Sequence, residues 1–296
     1  VIPGDTGNVP EPRRPPKACE MTARTRLCAY ARLVLRITDA RTGELVDATP
    51  ARRGLTRVEA HTRGFDPTNL RVLLVADLLV RALELGGTPV WALLDGERNL
   101  PELRAAGAAL GVRPFEDDRD AGTGLGEAQV LHVVSEGGAT PDGVRVVVAP
   151  VHQEGPGDAS DGADRADSIG AAGPAGLTAP DDLAEPAVLR LALLTHPRSR
   201  PLRLDPAALD EAEGTLGRWR GAVAAWAHRS SRPIPDTVRV ALRTAWEDDL
   251  DAVGVLRVLR AVEQDAEVPD GARFETYAYA DRLLGLDLTR DLGAPA

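Results

Sequence analysis

At ~150 residues per domain, the 296 residues of this chain predict two domains with ample material for a core. The 45 acidic residues outnumber the 35 basic ones, for a net charge of −10, and 43% hydrophobic with 27% charged residues marks a globular chain rather than a disordered one. That balance argues against a nonspecific nucleic-acid coat. The two cysteines, Cys19 and Cys28, are too few for a disulfide framework or a four-thiolate metal site, so a reducing cytoplasm is the expected compartment. Lys17 is the sole lysine; nearly all the basic charge is arginine.

In chain order, residues 1–20 hold five prolines and no apolar periodicity, and the only methionine, Met21, follows directly. Residues 1–24 are expected to be a disordered tail, with Val1 or Met21 as the start. From 25 to 152 the pattern alternates: LVLRI (33–37) and TRVEA (56–60) are extended, and an apolar helix runs from Pro67 to Leu85. PVWALL (89–94) is the next strand, PELRAAGAALG (101–111) a short helix, and QVLHVVS (129–135) and VRVVVAPV (144–151) are further strands. Such alternation predicts a parallel sheet with crossover helices. GTGLGE (122–127) precedes a strand instead of opening a helix, so it reads as a turn and not as a dinucleotide fingerprint. The apolar run LRVLLVADLLVRALEL is broken by Arg71, Asp77 and Arg81, so no membrane span is expected.

Residues 153–184 are a Gly/Ala/Asp-rich stretch, read as a linker or loop, in which seven acidic residues face Arg165 alone. Beyond it, from 185 to 296, the period becomes helical. Leu209, Ala212, Leu216, Trp219, Val223 and Trp226 recur at intervals of three and four, which makes the tryptophans core residues rather than a ligand cage. Val255, Leu256, Val258, Leu259 and Val262 supply a second apolar face after Asp249-Leu250-Asp251. Phe274, Tyr277 and Leu284 mark a last helix, and the half as a whole reads as a helical bundle. Arg198, Arg200, Arg203, Arg218 and Arg220 read as ion-pair partners before they read as an RNA-binding face.

Three stretches carry a family resemblance. ITDARTGELVDATPARRGLTRVEA followed by DLLVRAL (Asp77–Leu83), VLRLALLTHPRSRPLRLDPAALDEAEGTLGRWRGAVAA, and TAWEDDLDAVGVLRVL with DRLLGLDL together resemble the cysteinyl-tRNA synthetase family, including its mycothiol-pathway cysteine ligase branch. The resemblance covers about 30–95 and 185–288, and it implies a Rossmann-like parallel sheet of class I synthetase type followed by a C-terminal α-helical bundle. It also implies adenylation chemistry: ATP with Mg, two histidines of a HIGH turn near the phosphates, and a KMSKS lysine on the pyrophosphate.

Here the sequence departs from the family. Asp66-Pro67-Thr68-Asn69 stands where HIGH belongs, and no lysine stands near the KMSKS place, which falls at RADSIGAA. Asp66 suits an N-cap and Pro67 the first helical position. Thr68, Asn69 and the helix N-terminus offer donors to an anion. Asp66, Thr68, Asn69, Arg165, Ser168 and Gly170 are therefore the candidate nucleotide-binding residues.

The family's zinc, gripped by Cys, His and Glu, is expected to be missing. No Cys follows Cys28, and His61, His132, His152, His196 and His228 lack ligand spacing. With no zinc site, cysteine need not be the substrate. Two functions follow: a divergent ligase activating a small amino or carboxylic acid, or a synthetase-derived pseudoenzyme that binds a small molecule, a nucleotide or a protein partner. Transfer RNA is not an expected partner, since no anticodon-binding domain is recognisable.

Overall fold

A computed structural model of the chain describes residues 34–49, 54–117, 127–153 and 185–293. The first extended segment is β1 (Arg36–Asp39), which pairs antiparallel with β2 (Glu44–Asp47). The reading of 33–37 as a strand of the alternating half is corrected here, because the chain turns back on itself at Asp39–Gly43. Gly43 takes φ +74° and its N–H bonds the Asp39 carbonyl at 2.7 Å. A residue free to adopt positive φ is what so tight a reversal requires.

The parallel sheet follows: β3 (Leu55–Thr62), β4 (Val90–Gly96), β5 (Glu116–Asp117), β6 (Glu127–Ser135) and β7 (Val144–Val148), in spatial order β5-β4-β3-β6-β7. Every neighbouring pair is parallel. The first strand of the sheet lies at its centre, and the next strands are laid down to one side and then the other. This is the doubly wound order, with the direction of winding reversing between β3 and β6. VRVVVAPV does not run as one strand. It divides at Pro150, which has no N–H to give, into β7 and β8 (Val151–Gln153), and β8 pairs with β9 (Leu202–Leu204). GTGLGE, apart from Glu127, lies outside the described residues, as do the tail and the linker from Glu154 on.

Helix α1 (Pro67–Leu85) begins and ends where the sequence places it. The Asp66 carboxylate accepts the Asn69 N–H at 2.7 Å and Pro67 opens the first turn. From Asn69 to Val80 every residue is buried, because α1 is covered on both sides: by the sheet through Val58, Ala60, Leu131 and Val133, and by the helical half. A helix apolar all round belongs in such a place. Each leucine sequestered there contributes about 1.5–3 kcal/mol. Helix α2 (Leu100–Ala109) flanks it.

The helical half comprises α3 (Pro186–Leu194), α4 (Pro206–Trp226), α5 (Asp236–Glu247), α6 (Ala252–Gln264) and α7 (Asp270–Leu284). Ala212, Leu216, Trp219, Val223 and Trp226 form the buried stripe of α4, with Leu209 half-buried at its start. Both indoles meet the Tyr277 ring edge-on, at centroid distances of 5.6 and 5.1 Å. Arg218 pairs with Glu263 at 3.0 Å and Arg220 with Glu185 at 2.5 Å, while Arg198 bonds Asp249 and the Val147 carbonyl.

A buried ion cluster joins the two halves. Asp77, on α1 and fully buried, accepts from Arg81 Nε at 2.7 Å, from Arg190 Nη2 at 2.9 Å and from Arg113 Nε at 3.2 Å. Arg190, equally buried on α3, gives its remaining donors to the Leu284 and Leu110 carbonyls. Burial opposes the charge on Asp77, but the arginines outweigh it and hold the carboxyl below its ordinary range.

Candidate functional site

In a parallel sheet, residues in register share a face, and residues two apart on one strand share it too. On β3, Val58 and Ala60 point into the core against α1, so Arg57, Glu59 and His61 point the other way. The register sets Glu59 beside His132 of β6, and His61 beside Asp95 of β4. The central strands of parallel sheets are ordinarily apolar on both faces. Here one face carries a row of ionisable groups across β4, β3 and β6, at the junction where the winding reverses. Doubly wound sheets place their ligands at the carboxyl ends of the strands flanking that junction.

The row is closely bonded. His132 Nδ1 lies 2.9 Å from Glu59 Oε2 and 2.9 Å from His61 Nε2, and the latter is 3.5 Å from Glu59 Oε2. His61 Nδ1 meets Asp95 Oδ2 at 2.9 Å, Arg57 Nε meets Glu59 Oε1 at 2.9 Å, and His132 Nε2 faces the Asp142 carbonyl at 3.4 Å. Glu59 and His132 are buried and His61 nearly so, whereas the Asp95 side chain is 53% exposed, which makes the Asp95 side the open one.

Burial works against the charge on Glu59, yet hydrogen bonds from His132 and His61, with Arg57 beside it, hold its carboxyl far below the usual carboxylate range. For His61, burial disfavours the imidazolium, but Glu59 and Asp95 prevail and raise its proton affinity. Gly143 is the device that seats His132. Its φ is +156°, and a Cβ there would stand 2.7 Å from His132 Cδ2, so the turn before β7 closes on the ring only because this residue has no side chain.

The candidate nucleotide-binding residues of α1 begin at the same edge of the sheet. Asp66 receives the Asn69 N–H, and Asn69 Nδ2 donates to its second oxygen at 2.5 Å. Asn69 Oδ1 accepts the Arg63 N–H at 3.3 Å, and Thr68 Oγ1 accepts the Val151 N–H at 3.0 Å. The three side chains thus brace the β3–α1 turn and tie it to β8. Arg165, Ser168 and Gly170 lie outside the described residues, as do Cys19 and Cys28.

Sequence spacing sets the five histidines apart, and three of them are apart: His152 on β8, His196 after α3 and His228 after α4 are each exposed. His61 and His132, 71 positions from each other, are brought into contact by the register. The signal available in the sequence was the interruption of apolar strands by Glu59, His61, Asp95 and His132, each of which breaks a run that a buried strand would keep apolar.

No family model matches the chain. Three curated relatives carry the name L-cysteine:1D-myo-inositol 2-amino-2-deoxy-alpha-D-glucopyranoside ligase. The protein of Acidothermus cellulolyticus is 38% identical over 107 residues, that of a Parafrankia species 37% over 114, and that of Streptosporangium roseum 37% over 110. Each match takes in 36% of this chain, and the chain spans about a quarter of the relatives' length, 25%, 25% and 26% in turn. Over about a third of its length, then, the chain is similar to this cysteine ligase, a class I relative of cysteinyl-tRNA synthetase, as its residues and its parallel sheet lead one to expect.

Proposed function

We propose that the protein is an ATP-dependent ligase of the cysteinyl-synthetase kind, which activates a small amino or carboxylic acid in the crevice over the β3–β6 junction. The observation that carries this reading is the ionisable row Asp95–His61–Glu59–His132 at the point where the winding of the sheet reverses. The similarity to ligases that join cysteine to an amino sugar supplies the reaction class.

In that reaction a carboxylate oxygen attacks the α-phosphorus of Mg-ATP, the bond to the bridging oxygen breaks, and pyrophosphate leaves with the electron pair. The protein's part is to position the reactants and to neutralise the charge that develops. With no lysine beyond Lys17, arginine or imidazolium must supply that positive charge. His61, at the more exposed end of the row, and Arg165 are the candidates for that role. Thr68 keeps its hydroxyl hydrogen for a phosphate oxygen while accepting from Val151, and Asn69 Nδ2 has a second hydrogen to give. Asp66 holds Asn69 in place through the cap.

The test is ATP–pyrophosphate exchange by the full chain across a panel of amino acids, L-cysteine first, followed by ligation to the amino sugar named for the relatives. Exchange with one acid, reduced at least ~100-fold in His61→Ala with an unchanged melting temperature, is the expected result. Binding of an aminoacyl-adenylate analogue without any exchange would replace the ligase with a binding protein. Absence of both would remove this reading.

A further inference from the structure

Each of three side chains at the β3–β6 junction has a partner behind it that orients it. The Asp95 carboxylate stands behind His61 Nδ1 at 2.9 Å, and the Asp142 carbonyl faces His132 Nε2 at 3.4 Å. His61 Nε2 and His132 Nδ1 turn inward toward the Glu59 carboxylate, to which the imidazoles donate in the metal-free chain. Arg57 occupies Glu59 Oε1, which leaves Oε2 facing the same point. The three inward atoms form a triangle with edges of 2.9, 2.9 and 3.5 Å. A divalent ion taken up there would replace the protons that bridge these atoms, and three ligand atoms already gathered at one place would receive it.

We propose that Glu59 Oε2, His61 Nε2 and His132 Nδ1 form a binding site for a divalent transition-metal ion of the zinc type. Ligands at 2.0–2.1 Å from a tetrahedral ion stand ~3.3 Å apart, close to the edges already present, so the site needs little movement to close on a cation. Two imidazoles and a carboxylate are a borderline donor set, suited to zinc or cobalt(II) and unsuited to a soft ion that demands thiolate. The outer contacts have the form that metal sites use to fix ligands: a carboxylate behind one histidine, a backbone carbonyl behind the other, an arginine behind the glutamate. Gly143 lets the turn that carries the Asp142 carbonyl approach the His132 ring.

Sequence spacing predicts no zinc here, because it looks for Cys and His close together along the chain. These donors come from two strands, brought side by side by a parallel pairing. They contain no thiol, so they differ from the Cys-containing zinc set that the family resemblance implies. The proposal stands on this cluster alone and does not depend on the ligase reading; a chain inactive in exchange would still bind the ion.

The test uses the full chain stripped of metal by a chelator, titrated with zinc by calorimetry and with cobalt(II) by visible absorption. The expected result is one ion per chain, with the intense ligand-field bands of low-coordinate cobalt. His61→Gln and Glu59→Gln should abolish those bands. Asp95→Asn, which touches only the rear of His61, should weaken zinc binding ~10–100-fold. His61 and Asp95 reach the surface, so these two variants keep the test interpretable where a change at buried His132 prevents folding, and circular dichroism verifies that they are folded. Failure of the full chain to take up one equivalent would overturn the proposal. So would undiminished binding in both His61→Gln and Glu59→Gln, which would put the ion elsewhere.

Discussion

Two clusters of buried charge lie on opposite faces of the same sheet, and they are built to different ends. Around Asp77 every carboxylate lone-pair direction meets an arginine, and Arg190 spends its remaining donors on backbone carbonyls. That cluster satisfies its carboxylate within the protein and joins α1 to the helical half. Around Glu59 two imidazoles turn toward a single carboxylate, and three ligand atoms gather within 3.5 Å of one another. A carboxylate enclosed by arginines serves architecture, whereas two imidazoles and a carboxylate gathered at one point are a donor set suited to a metal ion from outside.

The largest test of that contrast is Asp77→Ala. It strands the fully buried Arg190 guanidinium and removes the partner of Arg81 and Arg113, so it should cost about 3–5 kcal/mol in urea unfolding. The zinc affinity of whatever remains folded should be unaltered. A loss below ~1 kcal/mol would mean that this cluster is not the joint between the halves.

Asp39 is an intermediate case, a buried carboxylate with ordinary partners. It accepts the Arg41 and Arg145 N–H groups, both at 3.1 Å, and so fastens the β1–β2 hairpin to β7. Burial opposes its charge, but those bonds and the Arg41 guanidinium hold its carboxyl below the ordinary value. Its contribution is therefore fully present above the unfolded pKa of ~3.9 and is lost as the pH falls through the lower folded value. Asp39→Asn should cost about 1–3 kcal/mol at pH 7, and the gap from the unmodified chain should narrow as the pH drops below ~4. A gap constant with pH would show that the charge contributes nothing.

The smallest effect is expected at the start of α1. Asp66→Ala removes the cap on Asn69 N–H and should lower stability by ~1 kcal/mol, with Asp66→Ser restoring most of it. If serine fails to rescue, the second bond, from Asn69 Nδ2, is the one that matters.

Local chemistry made much of this fold legible. Asp66 and Pro67 announce the start of α1, and the three- and four-residue spacing from Ala212 to Trp226 announces the buried face of α4. The strand–helix alternation announces a parallel sheet. These features depend on neighbours along the chain, so the sequence states them directly. The hairpin was less legible: β1 reads as one more strand of the alternation until Gly43 turns the chain back.

The candidate site is a different matter. Its donors stand on β3, β4 and β6, with His61 and His132 separated by 71 positions and Arg190 and Asp77 in the opposite cluster by 113. Each ionisable residue in those strands reads by itself as an interruption of an apolar run. By itself, then, the sequence determined the elements, their order and the doubly wound class, because propensity, capping and hydrophobic period act within a few residues. Only the tertiary structure decided that Glu59 faces His132 and His61 faces Asp95. Strand register is set by how the crossovers pack onto the sheet, and a shift of one residue would have sent every one of these side chains into the core.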